Sequence, residues 1–244
     1  ISGNGQTVIR IEYDRNIYQV TLDPAGGTIN TGNITSYTFG LGAQLPTDIT
    51  RAGYIFLGWF EQTSRVTSIS SSETGDKSFT AKWSPETNTP YTVKHLREDL
   101  AGQYTIVESE TKYGTTDTDT AAQARHYTGF TSEDFSQGKI SGDGSTVVEI
   151  RYARNSYRLT WHLENGSLGG DYTKGQVKFE APIIQPDAEK DGYTFSGWYQ
   201  DAELQNPYII PLKMPAEDID VYGKLTPKSG IPYRVQHYQE NADD

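Results

Sequence analysis

The chain has 244 residues, a formal net charge of −11 and no cysteine. Its acidity argues against a nucleic-acid partner, since phosphate binding needs clustered Lys and Arg. The missing thiols exclude a disulfide framework, thiolate metal sites and cysteine nucleophiles. No apolar run approaches twenty residues and no charged-then-apolar amino terminus is present, so neither membrane insertion nor a signal peptide is expected.

Seventeen tyrosines, 24 glycines and a single methionine make the composition that of strands and turns. The first predicted strand lies in ISGNGQTVIRIEYDRNIY (1–18), where Ile9, Ile11 and Tyr13 share one face and Val8, Arg10 and Glu12 the other. Asn4 and Gly5 before it suit the positive-φ positions of a hairpin turn. After only Arg15 and Asn16 a second alternation begins at Tyr18, Val20 and Leu22. The aromatic octapeptide GYIFLGWF follows at 53–60, and Phe79, Ala81 and Trp83 alternate in a closing strand. SPETNTP (84–90) reads as a short extended connector. Tyr91, Val93 and His95 then share an apolar face. TDTAAQARH (118–126) is the predicted helix, with Asp117 or Thr118 as N-cap.

From there the sequence repeats. ISGDGSTVVEIRYARNSY (140–157) matches 1–18 at eleven of eighteen positions, 139 residues further on. Val148, Ile150 and Tyr152 keep the apolar face, and Asp143-Gly144 replaces Asn4-Gly5. On the polar face Arg10 has become Glu149 and Glu12 has become Arg151, which marks solvated rather than functional charges. Tyr157, Leu159 and Trp161 alternate next, and the octapeptide returns as GYTFSGWY (192–199). Val221, Gly223 and Leu225 answer Phe79, Ala81 and Trp83. TPKSGIP (226–232) is a second connector, and PYRVQH (232–237) answers PYTVKH (90–95) at a displacement of 142. Loops absorb that three-residue difference. The repeating unit is about 140 residues with two unlike halves. Expected boundaries are 17–86 and 156–227 for one kind of module and 90–155 for the other. Residues 1–16 would be the tail of an earlier module of the second kind, and 231–244 the start of a later one. The abrupt beginning and end suggest a window cut from something longer. The Arg-Asn junctions should be stiff.

Chemistry finds little support. Trp59 and Trp198 could stack on sugars, but modules of about 70 residues need large aromatics in their cores, and core is the expectation. Gly58 and Gly197 before them suggest a close approach of a ring or backbone. His95 and His237 have no flanking ligands at metal spacing and read as hydrogen-bonded strand histidines. His126 and His162 have no counterparts in the repeat. Asp117, Asp119, Glu133 and Asp134 lack the EF-hand spacing, and a glycosidase pair would need a cleft. No nucleophile elbow, phosphate loop or HExxH motif occurs. No catalytic, cofactor-binding or metal residue is therefore assigned, no cofactor is expected, and ligand-binding residues are unknown.

Residues 157–160, 192–199, 201–204 (DAEL) and 214–219 (MPAEDI), with LDPAGG (22–27) in the first copy, resemble the Listeria–Bacteroides repeat, also called the internalin B-repeat. Residues 91–93, 104–110, 129–130 and 147–152 are similar to mucin-binding-protein (MucBP)-type repeats, from which His95 departs. These resemblances imply a β-rich α+β fold of tandem small β-grasp (ubiquitin-like) modules, arranged as an elongated rod. They also imply an extracellular place on the bacterial cell surface, wall-attached or secreted, in mostly Gram-positive bacteria. Function is then expected to be that of a non-catalytic stalk of an adhesin, or alternatively a direct binder of host glycans such as mucin or of host surface proteins. A mainly monomeric chain with end-to-end strand pairing is expected.

Overall fold

The structure is a computed structural model that describes residues 3–6 and 8–239. Positions 1, 2, 7 and 240–244 of the two expected partial modules lie outside the described residues. Every regular element among the described residues is a β-strand. The chain divides into two compact units. One comprises Ile1–Lys94, Ser109–Ala122 and Ser136–Glu149, the other His95–Glu108, Gln123–Phe135 and Ile150–Asp244.

In the first unit, β1 (Ile17–Asp23), β2 (Ser36–Thr38), β3 (Tyr54–Glu61), β4 (Ser64–Val66) and β5 (Lys77–Pro85) form a sheet of order β2-β1-β5-β3-β4. Strands β1 and β5 run parallel, with Val20 opposite Lys77 and Leu22 opposite Phe79. The chain therefore enters this sheet at one end and leaves at the other. The core gathers Val20, Tyr37, Trp59, Phe79 and Ala81.

The octapeptide owes its form to a bulge in β3. Phe56 faces Trp83 and Gly58 faces Lys82, so one extra residue sits in β3 between them. In a regular strand Phe56 and Trp59, three apart, would point to opposite faces. The inserted residue reverses the alternation, and the two rings meet edge to face at 5.9 Å. Gly58 carries the bulge at φ 130°.

Strands β6 (Thr89–Glu98), β7 (Tyr104–Gly114), β8 (Phe130–Ser132) and β9 (Val147–Arg154) form a sheet of order β7-β6-β9-β8. In the second unit, β10 (Ser156–Leu163), β11 (Gly175–Lys178), β12 (Tyr193–Tyr199) and β13 (Ile219–Pro227) repeat the first pattern as β11-β10-β13-β12. Strands β10 and β13 are again parallel, with Trp161 opposite Val221. The bulge returns between Phe195 and Gly197, Gly197 has φ 125°, and Phe195 meets Trp198 at 4.9 Å.

Three expectations are corrected. Residues 118–126 form no helix, so the α+β label gives way to an all-strand fold. Asp117 has φ 66°, outside the extended conformation of an N-cap. Thr118, Asp119 and Thr120 are weak helix formers. Their backbone groups bond across the chain instead: Ile140 N–H donates to Thr118 O at 2.9 Å and Thr120 N–H to Gly138 O at 2.8 Å. Ala122 N–H donates to Gln137 Oε1, also at 2.9 Å.

Residues 8–16 and 231–239 are described but form no strand, and Ile9, Ile11, Tyr13, Tyr233, Val235 and His237 face solvent. Among the described residues no ladder includes either segment, and a lone strand has nothing to satisfy its backbone. The connector at 84–90 shrinks to residues 86–88, because β5 runs to Pro85 and β6 starts at Thr89. The connector at 226–232 likewise begins two residues later, at Lys228, since β13 includes Thr226 and Pro227.

Candidate functional site

The duplicated tryptophans are core residues, 2% exposed at Trp59 and 7% at Trp198. Trp59 Nε1 donates to Pro46 O at 2.7 Å inside the first module. Glycine precedes each because of the bulge conformation. At Gly197 a Cβ would meet nothing within 4 Å, whereas at Gly58 it would meet the Arg65 side chain rather than a ring or backbone. What the two positions share is the positive φ of the bulge. His95 is fully buried and its Nδ1 lies 2.8 Å from the Tyr152 hydroxyl. His162 pairs through Nε2 with Asp220 Oδ1 at 2.9 Å and stacks on Tyr222 at 4.5 Å. The Asp220 carboxyl is lowered, first by the His162 hydrogen bond and then by that from Arg158. His126 is exposed.

The candidate carboxylates are not gathered. Asp117 accepts from Tyr54 Oη at 2.6 Å, and Asp119 pairs with Lys139 at 2.9 Å. Glu133 accepts from the Tyr104 hydroxyl, and that bond, with burial second, pushes the phenol up to about 12. Asp134 is exposed. Among the described residues no group of three or more His, Cys, Asp or Glu could hold a metal ion.

What the sequence concentrates instead is the pair of joints. Within the second unit, Arg154 closes β9 and Ser156 opens β10, leaving only Asn155 between. Arg154 N–H donates to Glu98 Oε2 at 2.8 Å, and its Nε donates to Glu98 O at 3.1 Å. Its Nη1 reaches Phe179 O at 2.8 Å and Glu180 Oε2 at 2.7 Å. Lys178 Nζ donates to the other Glu98 oxygen at 2.8 Å. The hydrogen bond from Lys178, followed by that from Arg154 N–H, holds Glu98 below its ordinary value, and the Arg154 bond does the same for Glu180. Phe179 packs edge to face on Phe130 at 5.9 Å. A Cβ on Gly129 would collide with the Phe179 ring. Asn155 completes the joint, donating its N–H to Gly129 O and accepting from Phe179 N–H.

Within the first unit the joint after the first module uses glycine differently. Here the chain passes so close to itself that a Cβ on Gly53 would strike the Gly142 backbone and a Cβ on Gly142 the Ala52 backbone. Glu86 N–H donates to Gly53 O at 2.8 Å, and Thr116 N–H donates to Glu86 O at 3.0 Å. The Thr89 and Thr116 hydroxyls meet at 2.7 Å and are buried. The Arg-Asn pair was legible as a short junction, but Glu98, Lys178 and Phe179 were missed; for Phe179 the signal is that Phe39 recurs there near the repeat displacement.

A surface cavity of about 350 Å³ lies beside β10 in the second unit. Leu159, Trp161, Leu168 and Tyr172 line it together with Arg158 and Lys174. No helix among the described residues is long and apolar enough to cross a membrane.

Two of the small sheets thus repeat one pattern, with a parallel strand pair and a glycine bulge. Residues 18–82 and 157–224 match the Listeria–Bacteroides repeat domain. The matches cover more than half of the chain, and it belongs to that family. It is similar to a protein named as a Gly-rich membrane protein of Evansella cellulosilytica, 24% identical over 91% of this chain and 26% of the relative. Internalin H of Listeria monocytogenes is 32% identical over 41% of this chain and 17% of its own length. Another membrane protein of Evansella cellulosilytica is 25% identical over 96% of this chain and 35% of the relative. The chain therefore spans about a third or less of the relatives it matches.

Proposed function

We propose that this chain is a non-catalytic spacer within a bacterial surface protein, extracellular and either wall-attached or secreted, that holds a binding domain away from the envelope. In this reading the two Listeria–Bacteroides repeats alternate with a module of the MucBP type at 90–155, all β-grasp-like and strung as a rod. The observation that carries it is the parallel pairing of first and last strands in both repeat modules. Parallel neighbours bring the chain in at one pole and out at the other, and tandem copies then add length. The surface setting is supported by similarity to internalin H and to proteins named as membrane proteins. Small-angle scattering tests the rod. A radius of gyration well beyond the roughly 18 Å of a compact globule of this size is expected, and a compact profile would sink the reading.

A second reading, direct binding of host glycans, is favoured by the cavity at Trp161 and Tyr172. Titration with mucin glycans, followed through tryptophan fluorescence, decides it. A saturable change lost in Trp161→Phe would support binding, and a flat titration would remove it.

A further inference from the structure

We propose that the face of the first repeat module bearing Phe39 and Leu41 is a docking surface for a module of the kind formed by residues 90–155. The partner would be joined through Arg15 and Asn16. The inference rests on the tandem-module reading and adds the residues of an interface to it.

The argument is an equivalence between two places in one chain. In the second unit Asn155 O accepts from Phe179 N–H at 2.8 Å, and Arg154 Nη1 donates to Phe179 O at 2.8 Å. In the first unit Asn16 O accepts from Phe39 N–H at 2.9 Å, and Arg15 Nη1 lies 3.5 Å from Phe39 O. The backbone half of the joint is thus already built at the first module.

What covers it differs. Phe179 is partly buried beneath Gly129 and Phe130. Phe39 is 42% exposed and Leu41 is 70% exposed. Large apolar side chains that adjoin one another at a chain junction mark an interaction surface rather than scattered exposure. Residues 8–13 leading into the joint expose Ile9, Ile11 and Tyr13 by 77%, 67% and 86%. Their counterparts Val148, Ile150 and Tyr152 are 3% exposed or less. Hydrogen bonding points to the same partner. The Glu98 carboxylate accepts from Arg154 N–H and the Glu98 carbonyl from Arg154 Nε, while the guanidinium pairs with Glu180 of the following module. A module of the 90–155 kind would bring the same glutamate to Arg15 N–H and Nε, a phenylalanine to cover Phe39, and the neighbouring strands that residues 8–13 lack. Thr38 and Gly40 stand where Lys178 and Glu180 stand, so this joint would be apolar around a single arginine rather than ionic.

The test extends the chain at its amino end with a second copy of residues 87–139, so that residues 1–16 complete the added module. Expected are hydrogen-exchange protection of amides 8–13 comparable to that of 147–152, and a melting midpoint lowered by Phe39→Ala in the extended chain alone. Glu98→Gln in the added copy alone should lower the same midpoint. Protection at 8–13 with no effect of either substitution would overturn docking and leave the tandem modules standing. An equal effect of Phe39→Ala in both chains would also overturn docking. No protection at 8–13 would overturn docking and the tandem reading together.

Discussion

The two Listeria–Bacteroides repeats share a frame but not a filling. Both place a parallel strand pair at the centre, and both carry a glycine bulge, at φ 130° in Gly58 and 125° in Gly197. In the first copy the second indole is Trp83 on the last strand, 5.3 Å from Phe56 and donating to Pro24 O at 3.0 Å. In the second copy that place is Leu225, and the second indole is Trp161 on the first strand, 4.8 Å from Trp198 and donating to Thr173 O at 2.7 Å. Neighbours adjust to the move. Ala81 of the first copy becomes Gly223, where a Cβ would press on Leu163 and Trp198. Backbone geometry admits few solutions, while a core accepts any filling of the right volume and shape. The joints diverge in the same way: Arg154 bonds to Glu98 and Glu180, whereas Arg15 pairs with no glutamate among the described residues.

The strongest way to break this comparison is to empty the shared position. Trp59→Ala and Trp198→Ala should each cost about 3–5 kcal/mol, seen as loss of that module's unfolding transition. A variant that melts like the parent would show the frame to be independent of its aromatic centre. Next come the joints. Arg154→Ala should destabilise the second unit by about 2–3 kcal/mol, because it strands the Glu98 and Phe179 carbonyls and leaves Glu180 without its partner. Arg15→Ala should leave the midpoint unchanged, and equal effects would erase the proposed difference between joints.

A smaller effect sharpens the account of the bulge. Gly58→Ala and Gly197→Ala should each cost about 1–2 kcal/mol through backbone strain. Chemical denaturation of both variants is the measurement. If only Gly58→Ala is costly, the clash of its Cβ with the Arg65 side chain, and not the φ angle, is the reason for glycine.

The least effect concerns pH. Glu98 and Glu180 are held below their ordinary value of 4.5 by the Lys178 and Arg154 contacts. Their stabilisation is therefore complete above that value and lost as pH falls through the depressed ones. The difference in midpoint between the parent and Glu98→Gln should be present at neutral pH and disappear in acid. A difference that persists in acid would deny the ion pairs a part.

Much of the fold was legible because periodicity reports burial directly. The alternations at Val20, Leu159 and Val221, and the burial of both tryptophans, lie in the sheets as the pattern requires. Other features were hidden for physical reasons. The bulge breaks the period of two at the octapeptide, so counting faces by alternation would have put Phe56 and Trp59 on opposite sides. Residues 118–126 carry alanines suited to a helix, yet Tyr91, Gln137 and Tyr152 side chains take Ala121, Ala122 and Arg125 amides instead. Those acceptors lie far away in sequence, beyond the reach of any local propensity.

By itself the sequence determined the repeat, its displacement and the strand alternation, since each is a local pattern. Only the tertiary structure decided which copies of a pattern become strands. Residues 8–13 and 147–152 have nearly the same residues, but only the latter lie between β6 and β8. A strand is completed by hydrogen bonds and apolar contacts that its neighbours supply, and no alternation written in one segment can provide the partner.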